Sequence, residues 1–74
     1  ITSELEIVEV AAPPFVVGKT LRDLDLRSRF SINVVIIREV PTSRVVLPGP
    51  DYVIKDSDTL VVLGTEEDIN LFCK

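Results

Sequence analysis

Between Thr20 and Arg38 the chain packs a helix start, a polar cluster and an unbroken apolar run into one unit, TLRDLDLRSRFSINVVIIR. Val34, Val35, Ile36 and Ile37 are β-branched throughout and too few for an independent helix, so they predict a strand covered on both faces. Upstream, Thr20 can cap a helix by accepting a bond from the backbone N–H three positions on, and Asp23 can return that bond. Leu21 and Leu24 fall on one helical face and Leu26 and Phe30 on its neighbour. This spacing predicts two to three turns of amphipathic helix from Leu21 to about Arg29. The rest of the chain must supply a surface on which this helix and strand can close.

Asp25, Arg27 and Asn33 are the polar residues left over where the helix gives way to the strand, and they form the candidate site. A guanidinium offers a planar fork of donors suited to phosphate or carboxylate, and an aspartate and an asparagine can read a base or ribose edge. The same residues also fit a plainer reading. Asp25 and Arg27 would then be a solvated helix face, and Asn33 a turn residue that tolerates left-handed backbone.

Seventy-four residues make one small domain, close to the size at which burial only just offsets chain entropy. A Val-, Ile- and Leu-rich chain with no Met, Trp or His suits a compact sheet-bearing core that continues across a subunit interface, so a homodimer is expected. The net charge of −4 and pI near 4.6 argue against a general nucleic-acid or anionic-membrane surface, since both need a basic patch. An anionic ligand would need a local basic pocket. The single cysteine, Cys73, excludes an internal disulfide, and a reducing compartment with a packing role is the simpler reading. Without histidine or a cysteine pair there is no transition-metal set and no Ser/His or Cys/His arrangement, so no catalytic residue is expected. Asp56 and Asp58, in KDSD, lack the glycine and distal glutamate of a calcium loop and read as a turn between strands. No apolar run is long enough to span a bilayer. The start on Ile1 suggests a fragment of a longer protein, whose parent can still be membrane-bound.

Taken in order, Ile1–Ser3 is a short lead, and Leu5, Ile7, Val8 and Val10 among glutamates give a half-buried first strand ended by Pro13 and Pro14. Phe15 to Val17 form an apolar loop that folds onto the sheet ahead of Thr20. After the central unit, Pro41 to Ser43 turn the chain so that Arg44 to Leu47 return as a hairpin partner, continuing a meander. Pro48, Gly49 and Pro50 make a stiff loop able to wall a pocket. Tyr52 to Ile54 form a short extended piece, Lys55 to Asp58 a tight turn, and Thr59 to Leu63 a last strand buried on both sides. Thr65 caps a second helix with Glu66, Glu67 and Asp68 in its first turn, where the dipole favours acids. Its inward stripe is Ile69, Phe72 and Cys73. The order is strand, helix, strand, strand, strand, helix, an α+β domain with hairpin links among the middle strands.

VVGKTLRDLDLRSRF at 16–30, INVVIIR at 32–38 and VVLPGPDYVIKDSDTLVVLGTEEDINLF at 45–72, with the spacing between them, resemble the C-terminal RCK domain, also called TrkA-C, of potassium channel and transporter regulators. The resemblance covers nearly the whole chain, residues 1–74 being one such domain. It implies a small β-α-β-β-β-α lobe that dimerises, has no enzyme activity and works in the cytoplasm attached to, or associated with, a membrane cation transporter. At its D-x-R and I-N positions the chain looks like the subgroup from Ktr-type potassium uptake. That subgroup binds cyclic di-AMP in a cleft between two lobes. The resemblance assigns Asp25, Arg27 and Asn33 to polar ligand contacts and Leu21, Val34 and Pro50 to apolar walls. Two positions depart from the subgroup. Phe30–Ser31 stands where Tyr–Gly is common, which makes a left-handed helix end costlier, and Pro41 lies in a loop that often carries glycine.

The expected function is therefore a ligand-gated regulatory domain of a potassium or other cation transport system, with cyclic di-AMP as ligand, no resident cofactor and no nucleic-acid partner. Two rivals stand beside it. One is a dimerisation module without ligand. The other is a lobe sensing a divalent cation through carboxylates such as Asp23, Asp25 and Asp51.

Overall fold

The computed structural model describes residues 4–74, so the lead expected over Ile1–Ser3 lies outside the described residues. Strand β1 (Leu5–Ala11) leads through a single 3-10 turn (Pro14–Val16) to two short helices, α1 (Leu21–Leu24) and α2 (Leu26–Phe30). Strands β2 (Asn33–Glu39), β3 (Arg44–Val46) and β4 (Thr59–Thr65) follow, and α3 (Glu66–Cys73) closes the order. The α+β class and the β-α-β-β-β-α sequence of elements are as expected, but two features of the layout are not.

The first concerns the sheet. Its order is β1-β4-β2-β3, all neighbours antiparallel. Only β2 and β3 form a hairpin, and β4 crosses back between β1 and β2, so the expected meander among the middle strands is wrong. Local turn signals such as Pro41–Ser43 reveal a hairpin, whereas the place of β4 is decided by burial. It is the most apolar strand and takes the centre, where both its edges are paired.

The second concerns coverage. Helices and the 3-10 turn pack on one face only. Leu60, Val62 and Gly64 of β4 are buried there, while Val61 and Leu63 are only half-buried on the other face. Among the described residues, neither β2 nor β4 is thus covered on both sides. A register shift between Val34 and Ile36 leaves Val35 as the extra residue of a bulge. Val34 pairs with Val62 and Ile37 with Leu60, so the bulge brings two residues of opposite parity to the core face. Val35 is left 41% exposed. On β1 the core face takes Val8 and Val10, while Leu5 and Ile7 remain 67% and 68% exposed opposite Thr65 and Leu63.

The core joins Val16, Leu24, Leu26, Ile32, Ile37, Ile54, Leu60, Val62, Ile69 and Phe72. Phe15, Phe30 and Phe72 meet in a tilted and edge-to-face triad with centroids 5.6–5.9 Å apart, tying the 3-10 turn, α2 and α3 together. Thr65 caps α3 by accepting from the Asp68 N–H at 3.1 Å. Ile69 and Phe72 face inward as expected, but Cys73 is exposed and not part of the inward stripe. Gly64 lets this layer close, because a Cβ there would lie 2.8 Å from Ile32 Cγ2.

Candidate functional site

The continuous helix expected from Leu21 to Arg29 is broken at Asp25. Thr20 caps α1 as predicted, accepting from the Asp23 N–H at 3.1 Å, although the Asp23 carboxylate returns no bond among the described residues. Asp25 then takes the left-handed conformation, φ 48° and ψ 52°. Its N–H ends α1 on Leu21 O at 3.1 Å, and its carbonyl starts α2 by accepting from Arg29 N at 3.0 Å. Aspartate tolerates this backbone better than most residues, and apolar periodicity carries no trace of it. The break lets both Leu24 and Leu26 reach the core, which a regular helix would not allow for residues two apart.

A second left-handed residue, Ser31 (φ 60°, ψ 33°), ends α2, with its N–H on Arg27 O at 3.1 Å. The left-handed helix end thus falls on Ser31, where the resemblance put a costlier serine in place of glycine, and Asn33 is the first residue of β2 rather than the turn residue of the plainer reading. It pairs with Leu63.

Opposite these helices runs the Pro48–Ile54 segment. Pro50 O accepts from Arg22 N at 2.8 Å and Tyr52 O from Leu21 N at 3.3 Å, so this loop satisfies N–H groups of the first turn of α1 that no helical carbonyl can reach. Thr20 and Val53 add an isolated antiparallel bridge. Between the helices, the start of β2 and Pro50 lies an open groove of about 340 Å³. It gathers all six residues singled out in the sequence: Leu21, Asp25, Arg27, Asn33, Val34 and Pro50. Three more complete the lining. Leu26 and Ile32 form its buried floor, and Arg22 stands on its rim. Leu26 belongs to the apolar helix stripe in the sequence and serves the core here as well. Arg22 has no signal in spacing, because its place follows from the Pro50 loop folding back onto α1.

The polar members differ in how they are held. Arg22 Nε is 3.2 Å from Asp51 Oδ1, both side chains being largely exposed. Asp25 and Arg27 are exposed and make no side-chain hydrogen bond or ion pair among the described residues. Arg27 therefore keeps its planar donor set available for an anion. Asp23, Asp25 and Asp51 are not gathered into a cation site, since the described residues contain no group of three or more His, Cys, Asp or Glu able to hold a metal. No described helix is long and apolar enough to cross a membrane.

The segment that walls the groove is anchored at its other end by a buried carboxylate, which in the sequence reads only as part of a polar turn. Asp58 is 2% exposed. Its Oδ2 accepts from Tyr52 Oη at 2.7 Å and from the Lys55 N–H at 2.9 Å. Lys55 Nζ donates to Tyr52 Oη at 2.7 Å and to Glu39 Oε2 at 2.9 Å, and lies 3.5 Å from Asp58 Oδ1. The hydrogen bond to Tyr52 is the largest influence raising Lys55 above the ordinary lysine range, with Glu39 next. Burial raises the Tyr52 phenol, partly offset by Lys55. The hydrogen-bonded spacing of Tyr52, Lys55 and Asp58 fixes where the extended piece from Tyr52 to Ile54 lies, and with it Pro50.

Residues 5–74 match the TrkA-C domain. The chain belongs to the TrkA-C family. It is 36% identical over 74 residues to the Ktr system potassium uptake protein C of Bacillus subtilis (strain 168), covering 100% of this chain and 33% of that relative. The TrkA-C domain thus spans about a third of the length of the curated relatives it matches. Its fold superposes with a TM-score of 0.84 and 30% identity on the RCK C domain of the potassium transport protein KtrA in complex with cyclic diadenosine monophosphate, covering 95% of this chain and 81% of that one. The RCK_C domain dimer of S. agalactiae BusR, also in complex with c-di-AMP, shares the fold at a TM-score of 0.76 and 22% identity, with 89% of this chain and 83% of that one covered.

Proposed function

We propose that this TrkA-C domain is a regulatory lobe of a potassium or other cation transport system, without enzyme activity of its own. In this reading it binds cyclic di-AMP in a cleft formed by two copies of the groove. The observation that carries the proposal is the convergence of Leu21, Asp25, Arg27, Asn33, Val34 and Pro50 on one open groove with the Arg27 guanidinium uncommitted. A groove of about 340 Å³ suits one nucleotide unit. A two-fold symmetric dinucleotide would then be shared by two protomers. Arg27 meets a phosphate, Asp25 and Asn33 take base or ribose edges, and Leu21, Val34 and Pro50 cover the adenine faces. The likeness to the KtrA domain, whose complex holds this nucleotide, supports the ligand. Regulation follows from differential affinity: the nucleotide favours whichever arrangement of two lobes it binds better, and by no more than that difference. Such a lobe would work on the cytoplasmic side of its transporter.

A ligand-free dimerisation module is the second reading, favoured by the uncovered apolar sheet face with Leu5 and Ile7 at its rim. One experiment separates the two. Calorimetry and thermal unfolding with cyclic di-AMP, ATP, cyclic di-GMP and calcium should show binding of cyclic di-AMP alone, at one nucleotide per two chains, and its loss in Arg27→Ala. At a hundredfold excess over Kd the ligand should stabilise the fold by about 2.7 kcal/mol. A folded dimer whose melting temperature no nucleotide moves would leave the dimerisation module standing.

A further inference from the structure

We infer that Arg22 is a second anion-binding residue of the groove, held in reserve by Asp51, so that ligand binding exchanges the Arg22–Asp51 ion pair for one between Arg22 and the ligand's phosphate. The inference rests on the nucleotide reading above and adds a residue and a control element that the sequence motif does not contain.

The chain carries a net charge of −4, so an anion approaches an unfavourable field and depends on local cations. Within the groove Arg27 and Asp25 cancel. The remaining charged lining residue is Arg22, and it is already engaged, Nε to Asp51 Oδ1, at 3.2 Å. With that pair closed the groove offers a phosphodiester no net positive charge. Opening it adds one full guanidinium on each protomer, to set against one phosphate of a dinucleotide. Asp51 therefore occupies Arg22 much as the ligand's own anionic group would.

The pair is built to open. The Arg22 and Asp51 side chains are 63% and 81% exposed, so water competes for both and the bridge contributes little to the fold. The backbones beneath them are held firmly, since Arg22 N–H donates to Pro50 O at 2.8 Å. The two side chains can thus separate without moving α1 or the Pro50 wall. A guanidinium also has donors beyond Nε, so its terminal nitrogens stay available to an incoming oxyanion while the exchange takes place.

The two partners should then act in opposite directions, which a purely structural ion pair would not do. Calorimetric titration with cyclic di-AMP is to be compared for the unsubstituted chain, Arg22→Ala, Asp51→Asn and Arg27→Ala at two salt concentrations, with ligand-free unfolding of each as the check on folding. Arg22→Ala should weaken binding ~10-fold, the scale of a lost charge-assisted hydrogen bond, and flatten its salt dependence. Asp51→Asn should tighten binding ~3-fold, the scale of an exposed ion pair no longer to be broken. Because the Asp51→Asn change preserves the loop and alters only an exposed side chain, that variant remains decisive even if Arg22→Ala folds poorly. Unchanged or weaker binding in Asp51→Asn, or unchanged binding in Arg22→Ala, overturns the exchange. If Arg27→Ala still abolishes binding in that case, the nucleotide reading survives without it. Failure of the unsubstituted chain to bind cyclic di-AMP overturns both, and is recognised before any variant is compared.

Discussion

Two polar clusters flank the Pro48–Asp58 stretch, and they are held in opposite ways. At one end Asp58, Tyr52, Lys55 and Glu39 are bonded to one another at 2.7–2.9 Å, around a carboxylate that is 2% exposed. At the other end Asp25 and Arg27 have no side-chain partner among the described residues, and Arg22 has one only in an exposed pair. Polar groups that satisfy each other inside the fold set geometry. Polar groups that the fold leaves open remain free to recognise something else. The same backbone segment joins the two, so the closed cluster determines where the open one presents its wall.

Several substitutions would break or sharpen this contrast. The largest effect is expected for Asp58→Ala, which strips Tyr52 Oη and the Lys55 N–H of their acceptor. Unfolding in urea should show a loss of about 3 kcal/mol, whereas Arg27→Ala should stay within about 0.5 kcal/mol of the parent. A similar loss in both would erase the distinction. Gly64→Ala comes next. The added methyl meets Ile32, part of the groove floor, at 2.8 Å, and a loss of about 2 kcal/mol is expected together with altered resonances along the groove in a two-dimensional NMR spectrum. Ser31→Gly should move the other way. Relieving a serine from φ 60° at the end of α2 should add about 0.5–1 kcal/mol to stability, read as a higher denaturation midpoint.

The smallest effect concerns pH. Tyr52 and Lys55 are both raised in the folded chain, so their share of stability is complete below their unfolded values and is lost as pH climbs above about 10. The melting temperature should fall across that alkaline range, and Tyr52→Phe should flatten the fall. A decline of equal steepness in that variant would remove Tyr52 from the closed cluster's titration.

Asp25, Arg27 and Asn33 were legible as the leftover polar residues of one contiguous unit and Pro50 as part of a stiff loop, whereas Leu21 and Val34 were marked as groove walls only by the family resemblance. The caps at Thr20 and Thr65 and the β2–β3 hairpin are likewise local and were readable. What escaped was non-local or stereochemical. The left-handed break at Asp25 hides inside a regular apolar helix pattern. The bulge at Val35 cannot be told from a strand buried on both sides, since VVII is compatible with either. Asp58 looks like any turn aspartate until Tyr52 is folded over it. The groove and Arg22's place on it depend on the return of Pro50, which no spacing within the helix encodes.

The position of β4 also bears on how the chain folds during synthesis. β1 and β2 both pair with β4, whose residues are made only after position 58. A growing chain that has reached Gly49 can form the β2–β3 hairpin and short helical turns. It has no partner for β1 and no Phe72 to complete the triad with Phe15 and Phe30. Sheet formation must therefore wait for β4 and then proceed largely at once, closing long loops in one late step. Until then β1 has no strand partner and β2 has β3 on one edge alone, so the apolar residues of both stay in water. Any pause in translation before β4 would prolong the exposure of aggregation-prone edges.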